Sequence, residues 1–134
     1  MVDRAGVPLA VVASAANVHD SKMLEAALDA VPPVRDGLPG RPRRRPETVH
    51  ADKGYDYRRC REALYRRGIR ARIARRGIES SERLGRHRWV VERTLAWLNR
   101  MRRLRIRYER RADVHEALLL LGCSLLCLNR LRRF

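Results

Sequence analysis

Aromatic side chains are scarce in this chain, only 5% of 134 residues. Any core must therefore be built from Leu, Val, Ile and Ala. Lysine is nearly missing, with Lys22 and Lys53 the only two among 31 basic residues. The positive charge is thus arginine charge, a planar fork that matches phosphate oxygens. Cysteine is limited to Cys60, Cys123 and Cys127. An odd count without a Cys-x-x-Cys pair argues against a disulfide framework or a zinc site and suits a reducing cytoplasm. Residues 1–20 lack the pattern of a secretory signal. The longest apolar stretch, Ala117 to Leu128, is interrupted by Gly122 and Ser124. It falls short of the roughly 20 residues that span a bilayer and reads as a buried helix. No basic amphipathic helix with bulky aromatics points to a membrane surface, and no internal repeat is visible.

What is abundant is positive charge. Hydrophobic residues make up 45% of the chain, enough for one folded domain, and the net charge is +16. Residues 1–57 carry eight basic and eight acidic residues, whereas residues 58–134 carry 23 and seven. The whole excess lies in the second part. A concentrated basic surface selects a polyanion, with nucleic acid first among candidates.

The pattern of residues predicts alternating strands and helices, a mixed α/β layer fold over 1–134. Met1-Val2-Asp3 reads as the end of a strand and Val7 to Ala13 as another, with Asp3 a turn residue before Gly6. Ser21 is expected to cap a helix to about Val31, with Met23, Leu24, Ala27, Leu28 and Val31 on one face. Pro32-Pro33 ends it. Residues 34–46, rich in Gly, Pro and Arg, form a basic loop that is either a DNA-touching arm or a solvated linker. Thr48 to Ala51 is a strand ending at Asp52, followed by a turn. Arg58 to Arg67 is a helix stopped by Gly68. Ile69, Ala71 and Ile73 alternate with Arg70 and Arg72 as a half-buried strand. Residues 75–84 form a basic loop. A long helix is expected over about 86–102, with Val91, Leu95 and Leu98 as its core stripe. A last helix covers about 113–130.

Two carboxylates stand out. Asp52 closes a strand at the end where ligands bind in open α/β sheets. A turn-forming Asp before Gly54 would look the same. Glu92 lies on the shoulder of the long helix with Arg88 one turn earlier. The pair is either an ordinary surface ion pair or a carboxylate turned into a cleft beside a phosphate-binding arginine. A strand-end and a helix carboxylate suit a divalent cation engaged in phosphoryl transfer. Arg70, Arg72, Arg75 and Arg76 are the phosphate contacts the pattern favours. Trp89 and Trp97 suit core packing better than base stacking. His19 and His50 rank below the acids.

Several segments taken in order resemble the insertion-sequence 5 family of bacterial DDE-type transposases. They are Asn17-Val18-His19-Asp20-Ser21, Ala51-Asp52-Lys53-Gly54-Tyr55-Asp56, Ile73-Ala74-Arg75-Arg76-Gly77, Leu84 to Thr94 and Arg107 to Asp113. The resemblance covers essentially the whole chain. It implies a ribonuclease-H-like mixed sheet flanked by helices and an Asp-Asp-Glu triad holding Mg2+, with Mn2+ as substitute. Asp52 would be the second Asp, Glu92 the Glu, and Arg88 the arginine one turn before it, with Arg86 and Arg93 further DNA contacts. Gly85 and Asn99 stand where the wider signature has Tyr and Lys, so Arg86, His87 or Arg93 would substitute there. The family's first Asp lies on a strand upstream of Met1. The resemblance therefore implies an N-terminally truncated domain that lacks its first strand and cannot cut DNA alone. Such a chain is a degenerate copy or the downstream part of an element read in two frames. It also implies a cytoplasmic, nucleoid-associated protein whose intact form pairs as a homodimer on DNA ends. The competing expectation is a non-catalytic basic nucleic-acid-binding protein.

Overall fold

The computed structural model describes residues 1–35, 37, 39–77 and 81–132; the side chains of residues 81–88 lie outside that description. The chain divides into two compact units, residues 14–88 and residues 1–13 together with 89–134.

In the unit of residues 14–88 the chain opens with a 3-10 turn, Asp20–Met23, running into α1, Leu24–Asp29. His19, not Ser21, is the cap: Ser21 N–H donates to His19 Nδ1 at 3.2 Å. Ser21 itself is buried. Leu24 and Leu28, one turn apart, supply the buried stripe of α1. Residues 34 and 43 close the basic loop with a pair of backbone hydrogen bonds, Val34 N–H to Arg43 O at 2.8 Å and the reverse at 2.9 Å. Its Asp36 and Leu38 lie outside the described residues.

Strand β1, Thr48–Ala51, pairs in parallel with β2, Arg70–Ile73, with Val49 opposite Ala71 and Ala51 opposite Ile73. The crossover is α2, Arg58–Arg66. Cys60, Ala63 and Leu64 recur at helical spacing and are its buried face. Gly68, at φ +65°, ends the helix in the left-handed region as the sequence indicates. Val49, Ile69, Ile73 and Ala74 complete the core with Leu24, Leu28 and the α2 face. Arg70 and Arg72 stay exposed, so the arginine face of the half-buried strand forms as expected.

The other unit differs more from its sequence reading. Val7 to Ala13 does not form a strand. Its pairing is one antiparallel bridge, Val2 with Pro8, closed by Asp3 N–H to Val7 O at 2.9 Å and Leu9 N–H to Met1 O at 3.0 Å. The Asp3 carboxylate accepts from Ala5 and Val7 N–H, both at 2.8 Å, and makes the turn expected of it. Helix α3 spans Ser81–Asn99. It begins before Arg86 because Gly85 costs a helix interior only about 1 kcal/mol relative to Ala. A short helix α4, Arg102–Arg105, follows an extended Met101. Helix α5 is Ala112–Leu131.

The core stripe of α3 is not Val91, Leu95 and Leu98. Val91 and Leu95 are 43% and 53% exposed, and only Leu98 is buried. The inward position between is Thr94, 2% exposed, whose hydroxyl donates to Gly6 O at 2.8 Å and lies 3.1 Å from Val90 O. A satisfied threonine is admitted to an apolar face at little cost. Gly6 sits at φ +83°, and a Cβ there would fall 2.8 Å from Arg93 Nη2 and 3.0 Å from Thr94 Oγ1. Gly122 lets α5 approach Leu104, Met101 and Leu98 in the same way. The rest of α5 is largely exposed, including Leu120, Leu121, Leu125, Leu128 and Leu131. The helix is 20 residues long, with a mean hydropathy of 1.4 over its most apolar 18-residue window. It is therefore longer than the apolar run alone indicates. By length and composition it could cross a bilayer, a property shared by helices that pack on another apolar surface.

Thr94→Val keeps the shape but strands the buried Gly6 carbonyl, and Gly6→Ala forces a side chain into the left-handed region. Each is expected to destabilise residues 1–13 with 89–134 by about 1–3 kcal/mol. The chain's two tryptophans, Trp89 and Trp97, both lie in that unit. Urea unfolding followed by their fluorescence should shift to a lower midpoint for both variants; an unmoved midpoint contradicts the packing.

Candidate functional site

Strand β1 ends at Ala51, and Asp52 follows in extended backbone at φ −77°, ψ 179°. Its Oδ1 accepts the Gly54 N–H at 2.8 Å, which turns the chain into the 3-10 segment Lys53–Tyr55. A Cβ at position 54 would stand 2.9 Å from that oxygen, so glycine there keeps the carboxylate in its turn. Asp52 is exposed. It lines a shallow cleft of about 320 Å3 with His19, Asp20, Tyr55, Gly54, Val18 and Ala16. Burial, then the charges of Asp20, Asp52 and Cys60, push the Tyr55 phenol above its ordinary range. Two carboxylates thus act on one phenol at the cleft.

Asp56 follows on the same segment. Its Oδ1 accepts from Arg61 Nε and Nη2 at 3.2 and 2.7 Å, and its Oδ2 from Arg76 N–H at 3.0 Å. Arg61 Nη2 also donates to Ile73 O at 3.1 Å, at the end of β2. Arg76 Nε donates to Lys53 O at 3.1 Å. These bonds join the segments that follow the two strands. Beside them lies Tyr57, with the Arg59 and Arg76 guanidinium carbons 4.2 and 4.8 Å from its ring centroid. His19 meets the same ring edge-on at 5.6 Å.

The other residues expected at a site are placed as follows. Glu92 is exposed on α3, in the unit of residues 1–13 and 89–134, and Asp52 is in the other unit. Arg86 and Arg88 lie where side chains are outside the description. Arg70 is exposed and 3.9 Å from Glu47, and Arg72 and Arg75 are exposed. Arg93 is turned inward. It donates to Ala5 O at 2.6 Å and packs over the rings of Trp89 and Trp97 at 4.4 and 4.9 Å. Among the described residues no three His, Cys, Asp or Glu side chains gather closely enough to hold a metal ion. Asp20, Tyr55, Tyr57 and Arg59 were not singled out by spacing. Their one signal is that Asp20 and Tyr55 fall inside the same two motifs as His19 and Asp52.

The backbone N–H of Arg76, then the Arg61 side chain, hold the Asp56 carboxyl below the ordinary carboxylate range. A lowered native value means that its stabilising contribution is complete above the ordinary value and is lost as pH falls through the lowered one. Carboxyl-carbon NMR should find Asp56 titrating below the ordinary carboxylate range, and Arg61→Gln should move it part of the way back up. A titration unchanged by Arg61→Gln removes the ion pair from the account.

Comparison with known proteins gives two matches. The family model described as the transposase DDE domain matches residues 1–129. A Burkholderia cepacia protein, named as a transposase for insertion sequence element IS402, is 55% identical over 133 residues. That alignment covers 99% of this chain and 63% of the relative, so the chain spans a little under two thirds of the relative's length. No solved structure matches the chain. A family match over nearly the full length, with more than half the residues identical to a named relative, means that this chain belongs to the DDE-domain transposases of insertion sequences.

Proposed function

We propose that this chain serves DNA transposition, binding DNA through its arginines and contributing Asp52 and Glu92 to a divalent-metal centre. The observation that carries this reading is Asp52, an exposed carboxylate at the C-terminal end of β1 in a cleft shared with Asp20 and His19. In this reading residues 1–134 are part of one ribonuclease-H-like catalytic domain, and the parallel pair β1–β2 with its flanking helices belongs to its sheet.

The cleft offers hard oxygen donors of the kind Mg2+ or Mn2+ takes. The described residues, however, gather no group of three metal-ligating side chains. The cleft alone therefore does not fit a fully held ion, and we propose that this chain does not cut DNA by itself. A divalent cation at such a centre would offset phosphate charge and activate the attacking oxygen. The chain's own share is to supply the Asp52 and Glu92 carboxylates, to orient phosphate with Arg88, and to grip the backbone with Arg70, Arg72, Arg75, Arg76 and Arg86. Arg93 drops from the DNA-contacting set, because it is half-buried, turned inward onto Ala5 O and two indole rings. The complete transposase would nick element ends and join the freed 3′-hydroxyl to target DNA in the cytoplasm, two copies acting on paired ends.

The net charge of +16 also suits a second reading, a basic DNA-binding protein in which the acids have no role. One set of variants separates the two. Mn2+ binding followed by paramagnetic broadening should weaken by about tenfold or more in Asp52→Asn and in Glu92→Gln. Labelled duplex with Mg2+ or Mn2+ should be bound but not nicked. Equal broadening in both variants and the parent leaves only the DNA-binding reading. Nicking that Asp52→Asn abolishes would show that the chain cuts on its own.

A further inference from the structure

Several arginines of the unit of residues 14–88 are paired with carboxylates. Arg58 pairs with Glu62 at 2.7 Å, Arg61 with Asp56 at 2.7 Å, and Arg67 with Glu25 at 2.7 Å and Asp29 at 3.1 Å. Arg59 and Arg76 are arranged otherwise. Both guanidinium groups lie against the Tyr57 ring, and both are anchored by neutral oxygens. Arg59 Nη2 donates to Ser21 Oγ at 2.5 Å and Arg76 Nε to Lys53 O at 3.1 Å. Asp56 accepts the Arg76 backbone N–H and pairs its side chain with Arg61, so it meets the Arg76 guanidinium only through weaker, longer-range attraction. Each guanidinium has five N–H donors, and each of these anchors uses one.

We propose that Tyr57, with Arg59 and Arg76 on its ring, is a preorganised grip for the phosphodiester backbone of DNA beside the Asp52 cleft. The proposal deepens the DNA-binding reading above and rests on it. The negative face of the ring orients both cations without cancelling their charge, whereas a carboxylate partner would cancel it. A guanidinium held in place before binding loses less freedom on meeting phosphate than a loose one. Arg72 and Arg75, by contrast, are exposed with no such anchor among the described bonds.

Position adds to chemistry. Tyr57 touches the edge of His19, and His19 lines the cleft with Asp52. The grip is therefore one ring away from the carboxylates. A small free anion would be repelled by Asp20 and Asp52 at the cleft. A polymer gains a contact from each arginine it reaches, which offsets that repulsion. The overall charge of +16 suits the same partner.

The test is binding of the full 134-residue chain to a short fluorescent duplex across a salt series, read by anisotropy. Arg59→Gln and Arg76→Gln should each reduce the slope of log affinity against log salt by about 0.9, the value for one lost phosphate contact on duplex DNA. Arg58→Gln removes another exposed charge, one paired with Glu62, and should leave the slope near that of the parent. Tyr57→Leu keeps every charge and should weaken binding several-fold, while Tyr57→Phe keeps the ring and should bind like the parent. If Arg59→Gln behaves as Arg58→Gln does, or Tyr57→Leu binds no worse than Tyr57→Phe, the grip is overturned while DNA binding stands. If the parent chain shows no salt-dependent binding, the DNA reading and the grip fall together.

Discussion

Two parallel strands have no hairpin to hold their ends together, and the connection between them must return over a helix before it pairs. In this chain the carboxylate of Asp56 supplies the missing tie. It collects two N–H groups of Arg61 and the backbone N–H of Arg76, while Arg61 also reaches the carbonyl of Ile73. The segments after β1 and β2 are thereby joined at the end where Asp52 stands. The bond from Arg76 to Lys53 O and the seat of Arg76 on the Tyr57 ring lie beside that tie, while the turn of Asp52 on Gly54 is local.

The unit of residues 1–13 and 89–134 is held by a different device, close approach of backbone to helix. Gly6 lies against Arg93 and Thr94, and Gly122 against Leu98, Met101 and Leu104. Each contact is made where a side chain is missing, so the surrounding polar groups must be satisfied locally. Thr94 hydroxyl and Arg93 guanidinium do so by taking the carbonyls of Gly6 and Ala5. Helix α5 contributes one fully buried position, Gly122, and leaves most of its leucines exposed.

Arginine, the most abundant charge in the chain, divides into three kinds by what it faces. Arg58, Arg61 and Arg67 face carboxylates and are structural. Arg93 is half-buried against two indole rings and a backbone carbonyl, and that burial, which exposed Arg59 and Arg76 lack, makes it structural as well. Arg59 and Arg76 face a phenol ring and neutral oxygens, which fix their direction and leave their charge intact. Composition records all of these as one number, although only charge left uncancelled attracts a polyanion.

The sequence by itself determined β1, α2, β2 and the stop at Gly68, because each is written in local periodicity and a single turn residue. It determined the family too, through motifs met in order along the chain. It also marked Asp52 as a strand-end carboxylate, since a short β-prone run followed by Asp and Gly is a local pattern. Tertiary structure decided what local pattern cannot carry. Val7 to Ala13 is apolar enough for a strand, yet it pairs through a single bridge. Val91 and Leu95 are apolar but exposed, while polar Thr94 is buried, because the Gly6 carbonyl 88 residues away satisfies its hydroxyl. Arg93 was indistinguishable from its neighbours until two indoles and Ala5 enclosed it. Asp20 and Tyr55 joined Asp52 only when the segments bearing them met at one cleft. Periodicity fixes which face of an element is apolar, but the identity of the group across the contact depends on chain closure over long separations.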